Sequence, residues 1–290
     1  MTAFIQYLIT GIAVGSIYAI VALGFSLVFK ATGVFNFAQG SLMMLGAFLA
    51  WTATARWGLA LVPAIVLTLV ISGALGVAMH FVVIRPLMGN TLLTLVMATI
   101  ALSLIISAMA SIIWGSEQRL FPSPIPDHVL IVGGVRISTL DLIVIGVSGV
   151  CMLIFGLFFR FTTLGLQMRA TAENSEAAVL SGVNSQRVFV VTFAVALMLA
   201  SIGGILLANI SLVSLSLGDI GLLAFPAVVV GGLTSIPGAV VGGILIGVIE
   251  QLSAAYISVE SQDVIVYVVL LIVLLVRPWG ILGEREVVRV

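Results

Sequence analysis

The sequence predicts an all-α, polytopic integral membrane protein, and three observations carry that prediction. Of the 290 residues, 62% are hydrophobic and only 8% charged, with a mean hydropathy of +1.35, whereas soluble domains run about 45–50% apolar and about 25% charged. The 11 basic and 11 acidic residues cancel and fall in clusters that leave long charge-free windows. Strands of alternating polarity are absent, so helices alone can satisfy a backbone in lipid. A soluble enzyme, a disordered chain and a nucleic-acid binder are excluded, because charge is too sparse and no basic patch exists. Cys151 is the single cysteine, so there is no intrachain disulfide and no cysteine metal site.

The windows without Asp, Glu, Lys or Arg are 1–29, 31–55, 57–84, 86–116, 142–159, 188–218, 220–249 and 264–276. A crossing needs about 20 apolar residues. Six windows hold one, 142–159 does if its ends tilt or borrow neighbours, and the last becomes a span over Ser258–Arg277 with Glu260 and Asp263 at the headgroups. The first apolar stretch breaks over Leu27–Gly33. Asn36 can then cap the next helix, with Gln39 in the reciprocal position of a capping box. Within 221–250, Gly231 and Gly232 followed by Leu233-Thr234-Ser235-Ile236-Pro237 predict two half-length helices or a re-entrant hairpin, the second ending at Glu250. Trp51, Trp57, Trp114 and Trp279 fall at predicted helix ends, as an aromatic belt would. The count is eight to nine membrane segments, including the discontinuous half-helices.

Orientation follows from the cations. With 160–188 and the C-terminus inside, Lys30, Arg85, Arg160, Arg169, Arg187, Arg277, Arg285 and Arg289 are cytoplasmic, and only Arg56, Arg119 and Arg136 are external. The N-terminus is then outside and the C-terminus cytoplasmic. The first cation, Lys30, follows the first apolar stretch, the wrong polarity for a cleavable signal peptide. One membrane domain is expected over 1–290, with an external loop at 115–139 stiffened by Pro122, Pro124 and Pro126 and a cytoplasmic loop at 160–188.

Enzyme chemistry finds no support. A nucleotide-binding loop needs Gly-Lys-Ser/Thr, and the only lysine, Lys30, lies between Phe29 and Ala31. His80 and His128, the only histidines, make neither a zinc pair nor a triad. His80 reads as an interfacial residue satisfied by water or headgroups. Asp141, Asp219 and Glu250 fall at predicted helix ends, so a mid-membrane ion site is poorly served and energy must come from elsewhere. Arg169–Val183 supplies the parts of a short helix. Thr171 or Asn174 can cap it, Glu173 and Glu176 fall near its positive end, Ala177, Ala178, Val179 and Leu180 form its body, and Gly182 suits a left-handed terminus. Two readings stand: a connector resting on the bilayer, or a plug docking into another protein.

At this point the residues resemble a known family. Asn174, Glu176, Ala177, Ala178, Leu180, Gly182 and Val183 resemble the coupling segment of the branched-chain amino acid type of ABC importer permeases. Asn36-Phe37-Ala38-Gln39-Gly40 resembles that family's signature after its first helix. Ala224-Phe225 through Gly231–Ala239 and Gly242-Gly243 resembles its Gly-rich segment, and Arg277-Pro278-Trp279-Gly280-Ile281-Leu282-Gly283 its C-terminal ending. The length resembles the LivH-type half rather than its LivM-type partner. The resemblance implies a permease subunit in a bacterial inner membrane, importing amino acids or related small solutes. Its implied partners are a second, non-identical LivM-type permease, two cytoplasmic ATP-binding subunits that hold ATP and Mg, and a periplasmic or extracellular solute-binding protein.

On this reading the Thr171–Gly182 helix sits in an ATPase cleft, flanked by Arg169 and Arg187, and transmits rigid-body motion. Gly238-x-x-x-Gly242 and Gly243-x-x-x-Gly247 suit close helix packing. The breaks at Asn36 and Pro237 also resemble the discontinuous helices of transporter midplanes. Asn36, Phe37, Gln39 and Gly40, with Thr234, Ser235, Pro237 and Gly238, are therefore expected beside the translocation path. Asn209, Ser211, Ser214 and Ser216 form the main polar cluster available to a pore. The rivals are a stand-alone secondary transporter or channel, and a membrane anchor without a pore.

Overall fold

A computed structural model describes residues 2–123 and 128–283; Pro124, Pro126, Arg285 and Arg289 lie outside the described residues. The chain opens with α1 (Thr2–Thr32) and α2 (Gln39–Trp51), the latter continued by a π-helical turn at Thr52–Arg56. Next, α3 (Leu61–Met79) runs through a π turn at His80–Ile84 into α4 (Arg85–Leu87), and α5 (Leu92–Trp114) follows. A hairpin, β1 (Val129–Val132) and β2 (Val135–Ser138), precedes α6 (Thr139–Phe161). Two short helices, α7 (Thr163–Glu173) and α8 (Ser175–Leu180), lead to α9 (Ser185–Ile210). The chain closes with α10 (Leu217–Leu222), α11 (Ala224–Gly231), α12 (Ile236–Tyr256) and α13 (Gln262–Val276). Six of these helical stretches are long and apolar enough to cross a membrane: Thr2–Thr32, Leu61–Leu87, Leu92–Trp114, Thr139–Phe161, Ser185–Ile210 and Ile236–Tyr256.

Helix α1 is apolar on every side and is accordingly central, with every residue from Ala13 to Val28 buried. It packs on α12, α9, α6 and α11. The outer helices α3, α5 and α6 turn large side chains away from the protein, Ile112 being 84% exposed, as lipid-facing helices do. Small residues set the closest approaches. On α12, Gly243 and Gly247 face Ala19 and Gly15 of α1, while Gly238 and Gly242 face Gly231 and Ala227 of α11. The two predicted small-residue pairs therefore serve two different neighbours.

The segment 221–250 departs from expectation. It is not two half-helices: Leu217–Gly231 is short and bent, but α12 has 21 residues and continues past Glu250 to Tyr256. The reason is Pro237. It occupies the first turn of α12, where its missing N–H costs no hydrogen bond, and Ser235 Oγ caps that turn by accepting from Gly238 N at 3.0 Å. Proline starts this helix instead of splitting one. Gly232, at φ +113°, makes the reversal. Beside it, Ile281 N donates to Val230 O and Leu282 N to Gly231 O, tying the Arg-Pro-Trp-Gly ending to α11.

Within the 115–139 loop the hairpin was not anticipated. Gly133 and Gly134 both have positive φ and join Val132 to Val135, its cross-strand partner, as a two-residue turn requires. Trp57 and Trp114 do lie at helix ends, and Trp57 is exposed. Trp114 does not face outward as a belt residue would: it is buried on Phe48 with centroids 5.1 Å apart and donates to Thr52 Oγ1 at 2.7 Å. His80 differs as well. It is fully buried among Phe81, Phe189 and Phe193, with neither ring nitrogen hydrogen-bonded.

Following the helices up and down sorts the described cations by end. Lys30, Arg85, Arg160, Arg169, Arg187 and Arg277 gather at the end bearing α7 and α8, and Arg56, Arg119 and Arg136 at the hairpin end.

Candidate functional site

The loop between α6 and α9 carries two short capped helices. Thr162 caps α7 by accepting from Gly165 N at 3.0 Å, and Asn174 breaks the helix in an extended conformation before capping α8 through Ala177 N at 2.9 Å. The expected single helix over Thr171–Gly182 is thus two, because the Asn174 side chain takes over the backbone donors of the next turn. Thr171 belongs to α7, is buried, and caps nothing. Gly182 ends α8 at φ +87°. Glu173, Glu176 and Ala177 are exposed and Ala178 is buried inward. At the tip Leu180 is 89% and Val179 53% exposed, an apolar pair on a six-residue helix. The two arginines differ. Arg187 is exposed, whereas Arg169 folds back onto the bundle, donating to Arg160 O at 3.1 Å with its guanidinium 5.7 Å from the Phe159 ring centre.

The Asn36 segment joins three helices. Asn36 and Gln39 are fully buried. Asn36 Oδ1 accepts from Ala38 N at 3.2 Å and Asn36 Nδ2 donates to Gln39 Oε1 at 3.3 Å. Gln39 Nε2 reaches Ala196 O of α9 at 3.1 Å, in space left by Gly24, where a Cβ would stand 2.3 Å from that nitrogen. This is an Asx turn bonded side chain to side chain, in place of the predicted capping box. Gly40 packs on Gly218 and Leu222, and Phe37 N donates to Thr99 Oγ1 at 3.2 Å. Phe37 itself joins a ring cluster. Phe225 of α11 stands 5.6 Å from Phe37, 5.5 Å from Phe35 and 6.3 Å from Phe25, and Phe29 stacks on Phe35 at 4.6 Å.

Two polar cavities flank that cluster along one face of α1. At the hairpin end, a cavity of about 580 Å³ reaches Val14 and Tyr18 of α1 and Glu250 of α12, and Ser211 and Ser216 of the predicted polar cluster line it. At the other end, a cavity of about 810 Å³ touches Phe29, Lys30, Arg169, Thr171 and Thr234. The α1 positions 14, 18, 25 and 29 share a face at helical spacing. Tyr18 and Phe25 are about 10 Å apart along the axis, and Phe25 and Phe29 about 6 Å. The phenylalanines therefore stand between the two cavities. Ser26 Oγ donates to Leu233 O at 2.9 Å, which fixes the 232–235 turn against the Lys30 end of α1. Of the predicted path residues, Thr234 meets a cavity and Phe37 the ring cluster. Ser235, Pro237 and Gly238 form the capped start of α12. Glu250 was expected at a helix end; it is in the body of α12, 5% exposed. No sequence signal marked it, since its burial depends on how α1, α12 and α13 pack.

The family described as the branched-chain amino acid transport system permease component matches residues 7–274. The chain is 34% identical to LivH of Escherichia coli K12, a high-affinity branched-chain amino acid transport system permease protein, over 99% of this chain and 98% of that one. It is 33% identical to BraD of Pseudomonas aeruginosa, with the same coverage, and 28% identical to LivH of Methanocaldococcus jannaschii over 92% of this chain and 89% of that one. No solved structure matches the chain.

Proposed function

This chain belongs to the branched-chain amino acid transport system permease family, and from that premise we propose that it is the LivH-type permease subunit of an ATP-driven importer of branched-chain amino acids. The observation that carries ATP coupling is the tip of α8. An apolar pair held out on a capped helix, at the end rich in cations, suits a protein cleft that covers it. The partners are two cytoplasmic ATPases, which hold ATP and Mg, a LivM-type second permease and an external solute-binding protein. Glu173, Glu176 and Arg187 rim the docking surface, and Leu180 anchors it.

The cation-rich end is cytoplasmic by the positive-inside rule. Nine segments then run from an external N-terminus to a cytoplasmic C-terminus of a bacterial inner membrane, as one permease domain. Solute enters from the cavity at Tyr18 and Glu250, is held back by the phenylalanine cluster, and leaves by the cavity at Lys30 and Thr234. Asn36 and Gln39 support the path from behind, by locking α2 to α9 beside Phe37. Rigid-body motion of α7–α8 shifts α9 and parts the rings. The buried Glu250 is the one feature that favours the rival, an ion-coupled stand-alone transporter.

Leu180→Asp tests the coupling. Truncating and charging an interface anchor costs at least about 2 kcal/mol, so co-purified ATPase and ATP-driven leucine uptake in proteoliposomes should fall at least about tenfold, with membrane insertion unchanged. Normal uptake by the variant would remove α8 from the mechanism.

A further inference from the structure

We propose that the cavity at the hairpin end is an ammonium-recognition site, in which Glu250 receives the amino group of the transported amino acid. The proposal rests on the importer reading above and assigns the chemistry of its outer cavity. Its first ground is the charge inventory. Glu250, Asp219 and Asp263 line this cavity, and among the described residues no lysine, arginine or histidine does. The second ground is independent of that cluster. Glu250 is 95% buried by its 5% exposure, and its Oε2 has no hydrogen-bond partner. A buried carboxylate oxygen left unpaired is costly, so the site is incomplete as it stands.

The geometry selects the ligand. Tyr18, fully buried on the central helix, lines the same cavity as Glu250, and the partnerless Oε2 of that carboxylate is left for a donor arriving with the solute. A primary ammonium brings three N–H donors and the opposite charge, the pairing that makes the strongest of these bonds. Val14, Leu207, Ile220 and Leu223 give the same cavity an aliphatic lining that suits a branched hydrocarbon side chain. The substrate carboxylate meets no cation among the described lining residues, and Gln251, Gln262 and Ser216 offer it neutral donors. A volume of about 580 Å³ falls within the roughly 300–1,000 Å³ of small-molecule sites. Tyr18 is the positioning residue and Glu250 the recognition residue.

The test uses the complete transporter in lipid nanodiscs and measures equilibrium binding of three probes. Leucine carries both charged groups, isoamylamine lacks the carboxylate, and isocaproate lacks the amine. Leucine and isoamylamine should bind and isocaproate should not. Glu250→Gln should weaken leucine and isoamylamine about ten- to hundredfold, the loss expected of a charge-assisted bond, and Tyr18→Phe a few-fold. Isocaproate binding as well as leucine, leucine binding unchanged in Glu250→Gln, or Glu250-dependent binding of sodium or potassium alone would each overturn the proposal. If Glu250→Gln does not fold, the contrast between isoamylamine and isocaproate on the unaltered protein and the Tyr18→Phe series decide it. ATPase co-purification separates the two claims. A transporter that assembles but shows no amine preference refutes only this site, whereas a chain that binds amines yet recruits no ATPase refutes the importer reading.

Discussion

Replacing Gly247 with alanine probes the seam on which the central helix depends. A Cβ there would stand 2.3 Å from both the N and the Cα of Gly15 and 2.8 Å from Gly11 O. Carbon atoms rest at about 3.5–4.0 Å, so α1 and α12 would have to part by more than about 1 Å. All three obstructing atoms are backbone, so no rotamer change relieves the clash. Overpacking costs about 1–3 kcal/mol, and with no side chain able to yield the upper end applies, about 3 kcal/mol or roughly a hundredfold in the folding equilibrium. The seam is tight along its length, since a Cβ on Gly15 would stand 2.7 Å from Ile244 and one on Gly243 2.4 Å from Ala19. The matched control is Gly149→Ala on α6, where a Cβ meets nothing within 4 Å and a helical glycine-to-alanine change gains about 0.5–1 kcal/mol. Thermal unfolding in nanodiscs, followed by tryptophan fluorescence, should place Gly247→Ala several degrees below the parent and Gly149→Ala at or above it. Equal melting of Gly247→Ala and parent, or an equal fall in both variants, would refute the packing argument.

Two further outcomes follow from local geometry. Asn174→Ala removes the bond to Ala177 N and about 1 kcal/mol of capping; on a six-residue helix this should fray α8, speeding hydrogen exchange at Ala177 and lowering coupled uptake a few-fold while leaving the melting temperature unchanged. Phe225→Ala deletes the ring that meets Phe25, Phe35 and Phe37, so loaded proteoliposomes should leak leucine without ATP, and a seal as tight as the parent's would show that the cluster is not the barrier.

Much of this molecule is legible residue by residue. The long apolar windows, the caps at Asn174 and Ser235, and the four-residue spacing of the glycines on α12 are all local patterns whose physics does not depend on the rest of the chain. Gly133-Gly134 between Val132 and Val135 is a local turn signal as well, although the prolines upstream of it argue for an irregular loop. Pro237 illustrates an ambiguity of position. The same residue breaks a helix from its interior and starts one from its first turn, and the Ser235 side chain decides between them. Arg169 and Thr171 looked alike in a string of polar residues, yet one lies against Phe159 and the other is buried.

The sequence by itself determined that the chain is an all-helical, multi-pass membrane protein, and how its described cations divide between two ends of its helices. These depend on composition and on spacing along a single helix, which the backbone geometry converts directly into position. Only the tertiary structure decided that α1 is the buried centre, that Asn36 and Gln39 are enclosed, that His80 lies among phenylalanines, and that Glu250 faces a cavity with one oxygen unpaired. In a chain apolar on nearly every face, hydrophobic periodicity carries no information about which side meets protein and which meets lipid. Where small residues on different helices coincide fixes that choice, and their coincidence exists only once the helices have packed.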